Sequence, residues 1–386
     1  MKKLAIITAT RAEYGLLAPL IKELRKNESD ELRIELVVTG THLSYDFGNT
    51  VESIDDRVDK KILIPVKSSN AIDIANNQAI TLIKFTELFV SEKYNGVVLL
   101  GDRYEMLSVA IAAGNTMTPI FHLFGGDTTE GAIDEWIRHS ITKISYVHFV
   151  SNADSYKRVI QLGENPKRVF NYGSTCLDNI LTVADMTKAE ALTSIGLDKS
   201  SAYVICTFHP VTLELENLEF QIHELLKAIQ FFPRLEFIMT KANADEGGSR
   251  INAILDDNEK IMENLHVYAS LGTRRYLSLM KHCELVLGNS SSGIMEAPYM
   301  HIPTVNIGDR QKGRVQSGSV INCGYSCDSI VAAIKKVLTK EHKELCRNNN
   351  CSVYGDGKAA KKISDKIIEI LNTGDIHIIK KFYDLS

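Results

Sequence analysis

The sequence has no long apolar run, no C-x-x-C pair and no excess of basic residues, and each absence excludes a class of protein. No stretch approaches the roughly 18 apolar residues of a membrane-spanning helix. The seven cysteines are scattered and odd in number, which favours reduced thiols in a cytoplasmic protein over a disulfide framework or a zinc site. A formal net charge of −4 gives no support for a nucleic-acid or membrane partner, so any basic site must be local.

The first residues, MKKLAIITATRAEYG, have only a superficial likeness to a secretion signal. The apolar run is short and leads into Arg11 and Glu13 without a small-residue cleavage site. We therefore expect this segment to form a first buried strand.

The 386 residues exceed one typical domain, and one pattern occurs twice along them. Short, almost wholly apolar runs alternate with helical patterns, which is typical of an open parallel sheet covered on both faces. The first series is LAIITAT, IELVVTG, GVVLLGD, TPIFHLFGG and YVHFVS, and the second is AYVICTFHP, LEFIMTKAN, LHVYASLG, ELVLGNSSSG and IPTVNIGD. We expect two doubly wound α/β domains with a boundary within residues 176–200. The last strong helical pattern is predicted to stop near Gly374.

In open parallel sheets ligands bind beyond the carboxyl ends of the strands, so residues directly after each apolar run are the functional candidates. The segment LVLGNSSSGIMEAP is the most unusual of these ends. Its small residues would let a phosphate approach the backbone where a helix N-terminus offers unpaired N–H groups. Glu296 follows where a carboxylate could accept from ribose hydroxyls. A serine-capped helix without a ligand explains the local pattern equally well.

Charged residues also follow two runs of the first series. Arg11 lies where the first helix should begin, and it would either pair with a phosphate or be a surface arginine near Glu13. Asp102 and Arg103 follow a very apolar run, where they form either a mutual ion pair or part of a reaction centre.

The segment HLFGGDTTEGAIDEWIRHS is the densest acidic constellation in the chain. Asp127 follows a Gly-Gly turn, and Asp134 opens a predicted helix that also carries Glu135, Arg138 and His139. Asp134 and Arg138 are four residues apart, as are Glu135 and His139, and oppositely charged pairs at this spacing would stabilise the helix. Alternatively, a carboxylate held in a cleft would transfer protons. The spacing matches no metal-ligand signature.

The second series adds three polar loops. His209 follows its first strand, where it would contact a diphosphate, transfer a proton or serve as a core histidine. Arg310 belongs to the charged loop NIGDRQKGR, for which a solvated loop is the usual explanation. Asn243 lies in the glycine-flanked segment TKANADEGGS.

Taken in order, these motifs resemble the hydrolysing UDP-N-acetylglucosamine 2-epimerases of sialic-acid biosynthesis. The resemblance covers nearly the whole chain, through RAEYG, VTGTHLS, FGNT, GDRYE, GAIDEWIRHSITK, RVIQLGE, FHPVT, GNSSSGIMEAP, NIGDRQKGR and YGDGKAA. It implies a GT-B fold of two Rossmann-like, doubly wound parallel-sheet domains, residues 1–176 and 177–360, with a ligand cleft between them. A C-terminal helix, 361–386, would return to the first domain.

The matched motifs imply two sets of site residues. Proton transfer would fall to Asp102, Asp127, Asp134 and His209. The UDP-sugar would be bound by Arg11, Arg103, His209, Asn243, Leu271, Ser290, Ser291, Ser292, Gly293, Glu296 and Arg310. Within that set, Ser290 and Ser291 would hold the diphosphate and Glu296 the ribose. The resemblance implies no metal and no other cofactor, and it suggests a homodimer or homotetramer.

Two positions depart from the family pattern. Gly15 stands where some relatives carry serine, so one hydrogen bond to the ligand is lost. Phe124 and Asp127 stand in a segment that is His-x-(His or Glu)-Gly-Gly-Glu in many relatives, and the Asp127 side chain is one methylene shorter than glutamate.

The implied reaction expels UDP from the anomeric carbon while a carboxylate removes the C2 proton, giving 2-acetamidoglucal. Water then adds at C1, and an acid protonates C2 from the opposite face to give N-acetylmannosamine. The nearest alternative is the same reaction on UDP-2,4-diacetamido-2,4,6-trideoxyglucose in legionaminic-acid synthesis, with which THLSYDFG and Asp127 are compatible. A GT-B glycosyltransferase and a non-catalytic UDP-sugar sensor are further alternatives.

Overall fold

The chain folds into two compact units. Unit 1 comprises Met1–Asp178 and Tyr354–Ser386, and unit 2 comprises Asn179–Val353. The computed structural model describes residues 1–45, 48–66, 70–128, 134–211, 215–242, 247–348, 352–374, 376 and 378–385.

The sheet of unit 1 is parallel throughout. Its described strands are β1 (Lys2–Thr8), β2 (Leu32–Val38), β3 (Lys60–Lys61), β4 (Gly96–Leu100), β5 (Ile120–Leu123), β6 (Val147–Val150) and β7 (Val169–Asn171). They lie in the order β3-β2-β1-β4-β5-β6-β7. Strand order reverses between β1 and β4, which makes that pair the switch point where ligands bind in such sheets.

Helices cover both faces of this sheet. The helices of the whole described chain are α1 (Arg11–Arg25), α2 (Ala71–Glu92), α3 (Tyr104–Asn115), α4 (Asp134–Ile144), α5 (Ala153–Gln161), α6 (Cys176–Val183), α7 (Lys188–Thr193), α8 (Leu218–Gln230), α9 (Gly248–Glu259), α10 (Gly272–His282), α11 (Ser292–Tyr299), α12 (Cys327–Val337), α13 (Lys340–Asn348) and α14 (Ala359–Thr373). Because side chains alternate along a strand, Leu4 and Ile6 of β1 pack against α1 and α14. Ala5 and Ile7 pack on the other face against α2, α3 and α4.

Unit 2 repeats this architecture with a second parallel sheet. Its described strands are β8 (Tyr203–Thr207), β9 (Glu236–Thr240), β10 (Leu265–Tyr268), β11 (Leu285–Gly288), β12 (Thr304–Ile307) and β13 (Val320–Cys323), in the order β10-β9-β8-β11-β12-β13. Val204 and Cys206 pack against α8, α9 and α12, whereas Tyr203 and Ile205 pack against α7, α10 and α11. The switch point of this sheet lies between β8 and β11.

All ten apolar runs named above form strands, which confirms the predicted pair of parallel-sheet domains. The sequence patterns missed β3, β7 and β13. Each of these is an edge strand of two to four residues. An edge strand is covered by a neighbour on one side only, so its sequence need not form a continuous apolar run.

The C-terminal helix α14 belongs to unit 1. Ile363 and Ile367 are fully buried and share a core cluster with Leu17 and Leu20 of α1. The carboxylate of Asp178 accepts the first N–H groups of α14, those of Ala359 at 3.2 Å and Ala360 at 3.0 Å. The predicted stop at Gly374 is confirmed, since this residue ends the helix with φ +68°.

A buried ion cluster anchors the segment after α14. The ammonium of Lys380 donates to both carboxylate oxygens of Glu164 at 2.8 Å and to the carbonyl oxygens of Lys143 and Ser145 at 2.7 Å. Glu164 is 1% exposed and also bonds His148 at 3.1 Å. Burial alone would raise the pKa of Glu164, but the hydrogen bonds from His148 and Lys380 outweigh it and hold the pKa at about 2.

We expect Lys380→Met to lower the free energy of unfolding by about 2–3 kcal/mol, because a buried carboxylate loses its main cation while Lys143 and His148 still contact it. Urea unfolding followed by circular dichroism measures the loss. The matched control is Lys381→Met, since Lys381 is exposed. Equal stability of the two variants contradicts the assignment.

The same cluster predicts a pH dependence. A carboxyl with a folded pKa near 2 and an ordinary value of 4.5 stabilises the fold fully above pH 4.5. That stabilisation is lost as the pH falls from 4.5 towards 2. The stability gap between wild type and Lys380→Met should therefore narrow across this interval, and a gap that widens on acidification is the contrary result.

Candidate active site

In unit 1 the predicted residues lie at the carboxyl edge of the sheet. Arg11 begins α1 after β1, Asp102 and Arg103 connect β4 to α3, and Asp127 follows β5. Asp134 is the first residue of α4. Because β1, β4 and β5 are adjacent strands, their carboxyl ends bring these groups to one edge.

Arg138 of α4 is the centre of the acidic constellation. Its guanidinium pairs with Oδ2 of Asp102 and donates to the carbonyl oxygen of Asp127 at 2.8 Å and to Glu135 at 3.1 Å. The arginine side chain is 4% exposed and the Asp102 side chain 28%. A buried cation therefore orients a carboxylate that reaches solvent.

The mutual ion pair of Asp102 and Arg103, one of the two alternatives from the sequence, is wrong. Asp102 pairs with Arg138, and Arg103 forms a two-pronged pair with Glu105 at 3.0 and 3.1 Å. On α4, the predicted helix pair of Glu135 and His139 is confirmed at 3.1 Å.

The carboxylate of Asp127 is held by donors from the next strand and helix. Its Oδ1 accepts from the hydroxyls of Ser151 at 2.7 Å and Ser155 at 2.5 Å, and from the amide of Asn152 at 3.5 Å. Gly126, with φ +80°, brings the chain so close to α5 that a Cβ would lie 2.4 Å from the Ser155 carbonyl oxygen. This close approach fixes where the Asp127 side chain begins.

A buried carboxyl group lies at the switch point. Glu13 is 6% exposed, and its Oε2 accepts the N–H groups of Ala9 at 2.8 Å and Thr10 at 3.1 Å. The bond from Thr10, together with the Glu13 N–H that donates to the Thr10 hydroxyl at 3.2 Å, forms a capping box at the start of α1. Burial raises the pKa of Glu13 to about 7, although the Arg103 guanidinium acts in the opposite direction.

His122 links two of these strand ends. Its ring is fully buried, and Nε2 lies 3.1 Å from the carbonyl oxygen of Gly101, directly before Asp102. Burial lowers the pKa of His122 to about 3, so the ring is neutral at neutral pH. The neutral Nε2–H donates to this carbonyl and positions the β4 turn. Arg11 differs from all these groups because its side chain is exposed.

In unit 2 the turn after β11 is shaped by backbone contact. Gly288 has φ +124°, and a Cβ there would lie 2.0 Å from the carbonyl oxygen of Thr207 on β8. Glycine is therefore required by both its conformation and its surroundings.

The next residue, Asn289, is fully buried and ties three strand ends together. Its side chain accepts the N–H of His209 at 2.7 Å and donates to the His209 carbonyl oxygen at 2.8 Å. Its own carbonyl oxygen accepts from Arg310 at 3.1 Å and Gln311 at 2.8 Å. The predicted residues His209 and Arg310 thus share one anchor. Burial, and then Arg310, lowers the pKa of His209 to about 4, so this ring is neutral at neutral pH.

Two of the three serines, Ser290 and Ser292, form a hydrogen-bonded chain of hydroxyl groups with Tyr276. Ser292 Oγ lies 3.0 Å from Ser290 Oγ and 2.6 Å from the buried hydroxyl of Tyr276. Ser291 is the N-cap of α11 but makes no side-chain cap bond. The Ser290 hydroxyl, however, accepts the N–H of Ser292, the first residue of α11, at 3.4 Å, so a serine side chain does bond the start of this helix.

Gly293 and Glu296 face different surroundings on α11. A Cβ at Gly293 would lie 2.8 Å from Cγ2 of Thr304, so this glycine lets the helix pack directly on β12. Oε2 of Glu296 is buried, and among the described residues it has no hydrogen-bond partner. Burial raises the pKa of Glu296 to about 7, although Arg314 acts against it. An orphaned buried oxygen is uncommon, and a bound hydroxyl group would satisfy it.

The side chain of Leu271 is not displayed in this way. Leu271 is 2% exposed and packs in the core beside α10, while its carbonyl oxygen accepts from Arg275 at 2.9 Å. Only its backbone remains for ligand contact. Asn243 lies outside the described residues.

Two kinds of feature are absent from the described residues. No group of three or more His, Cys, Asp or Glu side chains in that part of the chain is arranged to hold a metal ion. No helix there is both long and apolar enough to cross a bilayer.

The sequence matches a family model described as UDP-N-acetylglucosamine 2-epimerase over residues 22–368. The chain belongs to the UDP-N-acetylglucosamine 2-epimerase family. Polysialic acid biosynthesis protein P7 of Escherichia coli is 39% identical over 389 residues, covering 100% of this chain and 98% of that protein.

The chain is also similar to a second curated relative and to a solved structure. The GDP/UDP-N,N'-diacetylbacillosamine 2-epimerase (hydrolyzing) of Campylobacter jejuni is 39% identical over 346 residues, 89% of each chain. The crystal structure of UDP-GlcNAc 2-epimerase from Neisseria meningitidis bound to UDP-GlcNAc matches with a TM-score of 0.81 at 19% identity, over 96% of this chain and 100% of that one. The shared fold confirms the predicted GT-B class of two Rossmann-like units.

The sequence patterns missed the residues that hold this epimerase's polar groups in place. Asn289 precedes the three serines, which drew the prediction to themselves. Gln311 directly follows the predicted Arg310, and Glu13 lies two residues after the predicted Arg11. Arg138 was visible only as one helix charge among several. A polar residue directly after an apolar run was the available signal for Asn289, but its burial is a tertiary property.

We expect Asn289→Asp to destabilise unit 2 by about 3 kcal/mol near neutral pH, because a carboxylate cannot donate to the buried His209 carbonyl oxygen. Urea unfolding measures the loss. Protonation restores a donor, so the penalty should shrink as the pH is lowered towards the ordinary aspartic-acid pKa of about 3.9. Asn217→Asp, at an exposed asparagine of the same unit, is the control, and equal effects at both sites contradict this role.

Proposed function

We propose that the chain is a hydrolysing UDP-N-acetylglucosamine 2-epimerase, converting UDP-GlcNAc and water into N-acetylmannosamine and UDP for sialic-acid biosynthesis. The observation that carries this choice is the end-to-end relationship to polysialic acid biosynthesis protein P7, at 39% identity over 100% of this chain. N-acetylmannosamine is the amino sugar from which sialic acids are built, so such a relative favours this product.

Unit 2 is assigned the UDP moiety in this proposal. Ser290 and Ser291 bind the diphosphate at the start of α11, where hydroxyls and backbone N–H groups favour an anion. Arg310, held on the Asn289 carbonyl at 3.1 Å, supplies the positive charge. Glu296 accepts from the ribose hydroxyls, which is supported by its orphaned Oε2.

The remaining residues of unit 2 have supporting roles. His209 donates to the diphosphate or the sugar, and Ser292 orients Ser290 through the 3.0 Å hydroxyl contact. Gly293 keeps α11 against β12. Asn243 and the backbone of Leu271 are assigned to the nucleotide by the family motif alone.

Unit 1 is assigned the proton transfers. A carboxylate among Asp102, Asp127 and Asp134 removes the C2 proton while the C1–O bond breaks and UDP leaves with the bonding electrons. Water then adds its hydroxyl group to C1 of 2-acetamidoglucal and gives up its proton to a second base. An acid delivers a proton to C2 from the face opposite the first abstraction, so the centre is inverted and atoms balance.

The contacts in unit 1 support two carboxylates with different duties. Asp102 is oriented by a buried guanidinium, whereas Asp127 is held by two hydroxyls and an amide. Groups that serve as base and acid in one cycle need different surroundings. Arg103, rigidly paired with Glu105, and Arg11 add positive charge for the departing diphosphate.

A second substrate is favoured by a specific observation. The Campylobacter jejuni relative is equally identical, at 39%, although over 89% of the chain, and its name specifies a diacetylated bacillosamine sugar. The alternative is therefore the same hydrolysing epimerisation of UDP-2,4-diacetamido-2,4,6-trideoxyglucose.

We further propose that the enzyme acts in the cytoplasm as a homodimer or homotetramer.

The deciding experiment follows the reaction in deuterated water by NMR, with each of the two UDP-sugars in turn. We expect free N-acetylmannosamine carrying deuterium at C2, and a larger kcat/KM for UDP-GlcNAc. A strong preference for the trideoxy donor overturns the choice of substrate. Release of a UDP-linked epimer without free sugar overturns hydrolysis.

Substitutions should separate binding from chemistry. We expect Ser290→Ala to weaken UDP binding about tenfold and Arg310→Ala about a hundredfold, since they remove a neutral and a charged hydrogen bond. Asp102→Asn should leave UDP affinity within about twofold but lower kcat by about 10²–10⁴, the usual range for general acid–base groups.

Calorimetry of UDP binding and steady-state kinetics check these effects. Arg234→Ala, at an exposed arginine of unit 2, is the matched control for Arg310→Ala. Unchanged UDP affinity in both Ser290→Ala and Arg310→Ala rules out the diphosphate assignment.

A further inference from the structure

The loop that carries Arg310 also forms one wall of a separate cavity. This cavity of about 580 Å³ lies at the carboxyl ends of β12 and β13, within unit 2. Its chemically distinctive lining residues are Asn306, Asp309, Lys312, Gln316, Asn322 and Tyr325. None of them belongs to the residues assigned above to the UDP-sugar. A volume of this size suits a monosaccharide.

The side wall of the cavity is a row of amide groups. Asn306 and Asn322 are direct partners in the parallel register of β12 and β13, and the Asn306 amide donates to Asn322 Oδ1 at 2.8 Å. The Asn322 amide in turn donates to Gln316 Oε1 at 2.7 Å. A second Asn306 N–H donates to the Gly308 carbonyl oxygen at 3.4 Å, so both Asn306 donors are used. Asn306 Oδ1 is buried without a hydrogen-bond partner among the described residues, and the acetamido N–H of an amino sugar would satisfy it.

Another part of the lining is an aromatic ring held against the backbone. A Cβ at Gly308, where φ is +70°, would lie 2.1 Å from the Tyr325 ring, so only glycine admits the ring. The Tyr325 hydroxyl accepts the N–H of Asp309 at 3.3 Å. Tyr325 and the neighbouring Cys323 therefore give the cavity an apolar side, against which the C–H face of a sugar ring can pack.

The charges of the cavity do not favour a nucleotide. Asp309 and Lys312 are the two charged residues among the side chains that line it, and they have opposite signs. A doubly charged phosphate group would meet no net positive field there. The serine turn with Arg310 is different, because its charge favours an anion. The cavity thus suits an uncharged ligand.

We propose that this cavity binds a neutral N-acetylhexosamine and that its occupancy changes the affinity of unit 2 for UDP. The coupling runs through one loop, 308–316, which joins the two places. Gly308, Asp309, Lys312, Gly313 and Gln316 line the cavity. Arg310 and Gln311 of the same loop bond the Asn289 carbonyl oxygen at 3.1 and 2.8 Å.

A ligand bonded to Asp309, Lys312 and Gln316 therefore acts on the residues that flank Arg310. By linkage, the factor by which the sugar changes the UDP dissociation constant equals the factor by which UDP changes that of the sugar. Binding of the sugar follows from the cavity alone, whereas the coupling rests on the proposed role of Arg310.

The experiment is calorimetric titration of N-acetylmannosamine into the full chain, with and without saturating UDP. We expect one saturable site per chain that persists when UDP is bound. Asn322→Leu and Gln316→Leu should each weaken the sugar at least tenfold, because they break the amide row. Gln230→Leu, at an exposed glutamine of the same unit, is the matched control and should change nothing.

The affinity of each variant for UDP, measured without sugar, tests whether unit 2 is folded. If a leucine variant is not folded, Lys312→Ala takes its place, because it only shortens an exposed side chain. Absence of saturable binding, loss of binding when UDP is added, or equal affinity in cavity and control variants overturns the site. A sugar that binds without altering the UDP dissociation constant overturns the coupling. These titrations measure binding and not turnover, so their outcome does not depend on whether the chain catalyses the proposed reaction.

Discussion

The arrangement of unit 2 depends on one buried amide and its own backbone carbonyl. Asn289 bonds the backbone of His209 on one side and the side chains of Arg310 and Gln311 on the other. Three strand ends are thereby tied to one residue, whose position is set by the glycine before it. A buried polar group with all these bonds made is stable, whereas one left unpaired costs the fold several kcal/mol. Loss of one of these bonds is therefore expected to disturb the whole geometry around the serine turn.

Unit 1 uses a buried cation for the same purpose. Arg138 is 4% exposed and joins the carboxylate after β4 to the backbone after β5. His122, neutral because it is buried, secures the β4 turn from beneath. In each unit a buried side chain thus holds the polar groups that follow the strands. Preorganisation of this kind lets charged groups meet a developing charge without first rearranging.

Membership of the UDP-N-acetylglucosamine 2-epimerase family and the contacts within the site bear on different questions. The family match and the equal identity to P7 and to the bacillosamine epimerase define the class of enzyme. The orphaned oxygen of Glu296 and the anchored Arg310 concern how a UDP-sugar would be held. The cavity beside loop 308–316 is separate from the residues assigned to the UDP-sugar, and its amide row and balanced charges suit an uncharged sugar.

The sequence by itself determined the two parallel sheets, since buried central strands require continuous apolar runs, and it pointed to His209, the serine turn and Asp127 because polar residues follow such runs. It also indicated the glycine stop of α14. Short edge strands escaped it, as did every pairing that joins distant segments. An ion pair of Asp102 with Arg103 was one of two alternatives, but Asp102 pairs with Arg138, 36 residues away. Only the tertiary structure decided these partners, because a charged side chain takes the counter-ion that folding brings near, and burial, which shifts the pKa of Glu13 and Glu296, exists only in the folded chain.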